Sequence, residues 1–125
     1  MARTNVPLSA LVGNGSLVDP AGTALDATND HSIDVSAAHP EELMLRVTNT
    51  SGSTQTVTVK AGGAYPPAFR AGQGDLTASV AATTGVTWIG PFSSSRFLQA
   101  GNLLNVDIAV GHTGTITAFR VPRGI

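Results

Sequence analysis

Cysteine is absent from this chain of 125 residues, and charge and aromatic side chains are both scarce. Without cysteine there is no disulfide, no thiolate nucleophile and none of the usual structural zinc frameworks, so stability has to come from packing. The same absence leaves the redox compartment open. Charged residues are 12% of the chain and the formal net charge is −1, with no cluster of Lys or Arg. That argues against a surface drawing its affinity from phosphate neutralisation, and nucleic acid is not an expected partner. Long apolar runs are missing too. The opening "MARTNVPLSALVGNG" carries Arg3, but Pro7, Ser9 and Gly13 interrupt its apolar residues, so it reads neither as a secretory signal nor as a membrane span. Synthesis and folding in the cytoplasm are expected. Aromatics make up only 5%, few for a glycan site built from several stacked rings.

What is present is period-two alternation. The length suits one domain, residues 1–125, since such a chain buries roughly two-thirds of its unfolded surface in one core. Residues 1–40 are rich in small and polar residues, with turn signals at Pro7, Gly13 to Gly15, Asp19-Pro20 and Asn29-Asp30, and read as an extended arm with two short strands. Residues 41–125 carry the regular strands. "ELMLRVTN" sets Leu43, Leu45 and Val47 against Met44, Arg46 and Thr48, and "QTVTVKA" sets Val57 and Val59 against threonines, so Arg46 to Ala61 predicts a β-hairpin. Further strands are predicted at Leu76–Ala81, Val86–Ile89, Ser95–Gln99, Leu103–Val110 and Thr115–Val121, each bounded by Gly, Pro, Asn or Ser. The one helical signal is "HPEELM", with Pro40 at a first helical position. This pattern predicts an all-β fold, a single-domain antiparallel β-sandwich of Greek-key or jelly-roll type with an extended N-terminal arm. The expected core is Leu43, Leu45, Val47, Val57, Val59, Leu76, Val80, Trp88, Leu104, Val106, Ile108, Ile116 and Ala118.

No motif for catalysis accompanies the strands. His31, His39 and His112 fall in predicted loops far apart in sequence and read as solvated. Asp26, Asn29, Asp30 and Asp34 gather oxygens in "DATNDHSID", but the run lacks the mid-loop Gly and terminal Glu of a helical calcium loop, and a turn built on Asx hydrogen bonds is the better reading. "AGQGDL" lacks the third Gly and the Lys-Ser/Thr of a phosphate loop and opens a predicted strand. "GPFSSSRF" offers serines without a nucleophile-elbow pattern. The glycosylation patterns at Asn14 and Asn49 are short enough to arise by chance. The sequence therefore predicts no enzyme, no cofactor, no metal and no small-molecule substrate. It leaves two classes: an assembly protein that docks on another protein, favoured because extended arms and Pro-rich loops can cover a partner without charge, and a glycan-binding module.

The stretches "DPAGTALDATNDH", "LMLRVTNTSGSTQTVTVKAG", "PPAFRAGQGDL", "WIGPFSSSRFLQ" and "TGTITAFRVPR" resemble a family of small proteins encoded beside the major capsid protein in tailed phages and prophages of actinobacteria. The resemblance spans nearly the whole chain. It implies a virion structural protein, a minor capsid or decoration protein on the outer surface of the head, made in the host bacterial cytoplasm, with the major capsid protein as partner and a homo-oligomer such as a trimer on the lattice. A tail or head–tail connector component is the alternative within that implication. It supplies no functional residues. The residues themselves suggest partner contacts at Arg3, Val6, Pro7, Leu8 and Leu11 of the arm, at Tyr65, Pro66, Pro67 and Phe69 of the Pro-rich loop, and at Arg70 and Arg96 as rim hydrogen-bond donors.

Overall fold

The computed structural model describes residues 2–36, 39–62 and 73–122. Its strands, in chain order, are β1 (Thr4–Asn5), β2 (Leu8–Ala10), β3 (Thr23–Ala24), β4 (His31–Asp34), β5 (Leu43–Asn49), β6 (Gln55–Val59), β7 (Leu76–Val80), β8 (Gly85–Ile89), β9 (Leu103–Ile108) and β10 (Thr115–Arg120). Helical structure is short: a 3-10 turn at Pro40–Glu42 and the single turn α1 (Ser94–Phe97). Two mixed sheets pack face to face, as predicted for an all-β sandwich. Sheet 1 runs β1-β4-β9-β6-β7; sheet 2 runs β2-β10-β5-β8, with β3 also paired to β10. Both sheets are antiparallel except where β1 joins β4 and β2 joins β10 in parallel.

Between the sheets lies one apolar layer. Leu43, Leu45 and Val47 from β5 and Ile116 and Ala118 from β10 meet Val57 and Val59 from β6 and Leu104, Val106 and Ile108 from β9. Strict alternation in β5 and β9 puts every second side chain in this layer, so both segments had to be strands with one buried face. The predicted core holds, with Leu76 partly buried against it, except at Trp88, which is 53% exposed. In β8 it is Ile89 that turns inward, one position away, leaving Val86 and Trp88 on the outside.

Two predicted connections are corrected. Arg46 to Ala61 is not a hairpin: β5 pairs with β8 and β10 in sheet 2, whereas β6 pairs with β7 and β9 in sheet 1. The turn between them crosses from one sheet to the other. Buried Asn49 holds that crossing, donating from its amide to the carbonyls of Ser53 (2.9 Å) and Val80 (3.1 Å) while its oxygen accepts from the Ser51 N–H and hydroxyl. Likewise Ser95–Gln99 is not a strand. The Ser93 carbonyl accepts the N–H groups of both Arg96 and Phe97, closing a helical turn. A strand would send Phe97 and Leu98 to opposite faces, yet both are buried. Gly62 lies against this turn so closely that a Cβ would sit 2.1 Å from the Leu98 carbonyl oxygen.

The N-terminal segment is part of the sandwich, not an arm apart from it. It borders sheet 1 as β1, crosses at Val6 and borders sheet 2 as β2. Val6 is buried between the sheets, so its side chain, expected as a surface anchor, belongs to the core. Burying a valine contributes about 1.5–3 kcal/mol. His31 and His112, expected in solvent, are also buried; His39 is exposed. The His31 ring accepts the Asp26 N–H at Nε2 (3.0 Å), which places its proton on Nδ1 for the Thr4 carbonyl (3.1 Å). His112 donates from Nε2 to the Thr48 carbonyl.

Burial, which disfavours the cation, holds both histidines below the ordinary value of 6.5. Their neutral forms therefore stabilise the native state above pH 6.5, and that stability is lost as pH falls, because the unfolded chain takes up protons that the folded chain refuses. Urea midpoints should fall between pH 7 and 5, above the carboxylate range; a flat profile would contradict this. Asn49→Ala should lower unfolding free energy by about 1–3 kcal/mol in the same assay, because the Val80 carbonyl loses its buried donor.

Candidate docking face

The two outer faces of the sandwich differ in chemistry. On sheet 1, alternation turns Ser32, Asp34, Thr56, Thr58, Thr77, Ser79, Asn105 and Asp107 outward, together with a half-buried Leu103. Four of the charges there pair with one another, Arg3 to Asp107 at 2.6 Å and Lys60 to Asp75 at 2.9 Å, while Asp34 accepts the Ser36 N–H. On sheet 2, the same geometry turns out Met44, Arg46 and Thr48 from β5, Val86 and Trp88 from β8, and Thr115, Thr117 and Phe119 from β10. Register places Trp88 beside Arg46, Val86 beside Thr48 and Phe119 beside Met44.

Trp88 and Phe119 reach across β5 to stack, with ring centroids 5.3 Å apart and planes 29° from parallel. Phe119 is buried beneath this stack, whereas half of the indole stays exposed. The Arg46 guanidinium lies 5.9 Å from the Trp88 ring centre and 5.4 Å from that of Phe119, within cation–π range. Its donors go to the Asp19 carboxylate, to the Pro20 carbonyl (2.9 Å) and to the Thr117 hydroxyl (3.2 Å). These bonds tie down the segment between β2 and β3, both of which pair with one edge of β10. At Gly22 (φ +87°) that segment presses on β10, where a Cβ would meet the Thr117 hydroxyl at 2.6 Å; this covering is why Thr117 is buried on an outer face. Under it lies a cleft of about 120 Å³ lined in part by Val6, Pro7, Pro20, Gly22 and Ile116. Its turn carries three exposed apolar side chains, Val12, Leu17 and Val18.

The residues expected to contact a partner are scattered. Arg3 is spent on sheet 1, bonding Asp107 and the His31 and Val106 carbonyls. Pro7 is exposed, Leu8 packs against the core, and Leu11 is half-buried with its N–H on the Arg120 carbonyl. Arg96 holds the Gly74 and Asp75 carbonyls and lies over Phe97, an internal clamp more than a rim donor. Tyr65, Pro66, Pro67, Phe69 and Arg70 lie outside the described residues. The predicted Asx turn is present: the Asp26 carboxylate accepts the Thr4 hydroxyl, the Thr28 and Asn29 N–H groups and the Asn29 amide. Those bonds, the Thr4 hydroxyl first, hold its pKa well below the usual carboxylate range. Among the described residues no group of three or more His, Cys, Asp or Glu side chains comes together.

Sequence reasoning missed Arg46, Trp88, Phe119 and their clamp by Asp19. The alternation of "ELMLRVTN" already put Arg46 outward; the pairing with Asp19, far away in sequence, left no local signal. Comparison of the chain with protein-family models, curated proteins and solved structures finds no match in any of the three.

Arg46→Met keeps the side-chain length but removes every donor to the covering segment. It should cost about 1–2 kcal/mol, since Asp19 is largely exposed and solvent screens that pair. Emission from Trp88, the sole tryptophan, should shift to the red as its neighbours loosen; unchanged emission would contradict the clamp.

Proposed function

We propose that the protein is a non-enzymatic virion structural component, a decoration protein that adds to the outer surface of a phage head and stabilises it. Its partner is the major capsid protein, contacted through the outer face of sheet 2, and its place is the head surface after synthesis in the host cytoplasm. The supporting observation is the contrast between the two outer faces: one bearing Thr, Ser, Asn, carboxylates and a half-buried Leu103, the other a half-exposed indole, Val86 and Met44. An aromatic and aliphatic centre with a hydroxyl rim is the composition of a protein-binding patch. The sequence resemblance supplies the identity of the lattice. A half-exposed ring on a flat strand also favours a second reading, glycan binding, since a sugar ring stacks on such a surface.

Purified protein should co-sediment with heads that lack it and raise the temperature at which they rupture. Trp88→Asp should weaken co-sedimentation at least ten-fold while the urea midpoint is retained, and Thr58→Asp on the opposite face should leave binding intact. Equal binding by the Trp88 variant would overturn the assignment of the face. Labelled protein on tails, or retention on polysaccharide lost with Trp88, would replace the head reading with the tail or glycan one.

A further inference from the structure

From Leu76 to Ser95 the chain has no charged residue, and this stretch supplies both strands on one side of the sandwich: β7 ends sheet 1 and β8 ends sheet 2. The other side is closed by the N-terminal segment, with Val6 between the sheets and Arg3 and Asp26 bonded alongside. Proteins usually defend an open sheet edge with lysine, proline, a bulge or a covering segment, because an unpaired strand is a template for another chain. Among the described residues β8 pairs only with β5, and Gly85–Ile89 contains neither charge nor proline. β7 is partly engaged, its Ser79 carbonyl accepting the Thr87 hydroxyl at 3.0 Å. Among the described residues, the free edge of β8 has no pairing strand, no charge and no proline.

We propose that two copies of this chain pair through β8, antiparallel about a dyad at Thr87, joining their second sheets into one continuous sheet. Thr87 is the centre of the five-residue strand, so only a dyad there pairs the whole strand with itself. Val86 then faces the partner's Trp88, and Trp88 faces the partner's Val86, an aromatic against a β-branched residue at a favourable cross-strand position. Moving the dyad to Val86 would set Trp88 against Thr84 in the turn; moving it to Trp88 would set Val86 against Gly90. No charge opposes another in the paired register, and Val86 and Trp88, 52% and 53% exposed, cover one another. The contact is isologous and closes as a dimer, in place of the trimer that the lattice resemblance suggests, since a trimer needs two different surfaces. The joined sheet would also set two Trp88–Phe119 stacks side by side on the face proposed above for docking.

Sedimentation velocity over a range of concentrations should show a monomer–dimer equilibrium in the free protein. V86K/W88K, which sets lysine against lysine, should be monomeric throughout, whereas V86K/W88E, which sets lysine against glutamate, should recover the dimer; both sites are exposed, and urea midpoints verify the fold. With no native cysteine, a mixture of V86C and W88C under mild oxidation should give the mixed disulfide several-fold in excess of either homodimer. A monomer at every concentration, equal dimerisation of the two lysine-bearing variants, or no preference for the mixed disulfide would overturn the proposal. No heads are present in these assays, so their outcome is separate from that of the docking experiment.

Discussion

Burying a single apolar layer between two sheets is the constraint from which the other features follow. Each strand can give that layer only every second side chain, so filling it fixes the parity of every strand and thereby what each shows to the outside. In β6 and β9 the valines, Leu104 and Ile108 go inward, and threonine, asparagine, aspartate and Leu103 go out. In β5 and β8 the same requirement exports Met44, Arg46, Val86 and Trp88. The aromatic face is thus the complement of the core of sheet 2. A slip of one residue in β8 would bury Trp88 and expose Ile89, erasing the face and the layer together.

The layer also dictates what happens where strands leave it. The crossing after β5 would strand carbonyls at the sandwich corner, and Asn49 satisfies two of them from a buried position. At the N-terminal edge, Thr4 is held through its N–H by the Asp30 carbonyl, through its hydroxyl by Asp26 and through its carbonyl by His31. His31 is buried and Thr4, Asp26 and Asp30 are half-buried, because they finish the edge of the layer. Their hydrogen bonds use up the chemistry that the sequence seemed to leave spare in "DATNDHSID".

Fold class, most strand positions and the core were legible because period two survives in a single sequence. The 3-10 turn at Pro40 was legible from the proline and the two glutamates that follow it. What escaped was whatever depends on partners distant in the chain. Arg46 to Ala61 has the local signature of a hairpin, yet β5 and β6 find better neighbours in different sheets, and nothing within the segment records that choice. Trp88 reads as core because it lies inside the apolar strand of "VTWIGPF"; the Phe119 ring that shelters one side of the indole lies on another strand. His31 looked solvated because its two partners, Asp26 and Thr4, become neighbours only once β1 lies beside β4. Val6 reads as a surface anchor for a similar reason, since an arm and an edge strand have the same composition until their partner is known.

Charge completes the argument. Arg3 is bound to Asp107, Arg46 to Asp19, Lys60 to Asp75 and Arg120 to Glu42. These pairs are staples between segments, and they leave the aromatic face and the β8 edge without an unpaired charge among the described residues. The recognition proposed there would rest on buried apolar area and shape. Such a surface gains little long-range steering, so a partner would be met at the rate of neutral proteins and affinity would reside in the lifetime of the contact. Lifetime can be raised without charge by joining two such faces on one rigid sheet, because the second contact is then made at the high effective concentration set by the first. A repeating lattice is the kind of surface on which that gain can be realised, which links the shape of the sandwich to the role proposed for it.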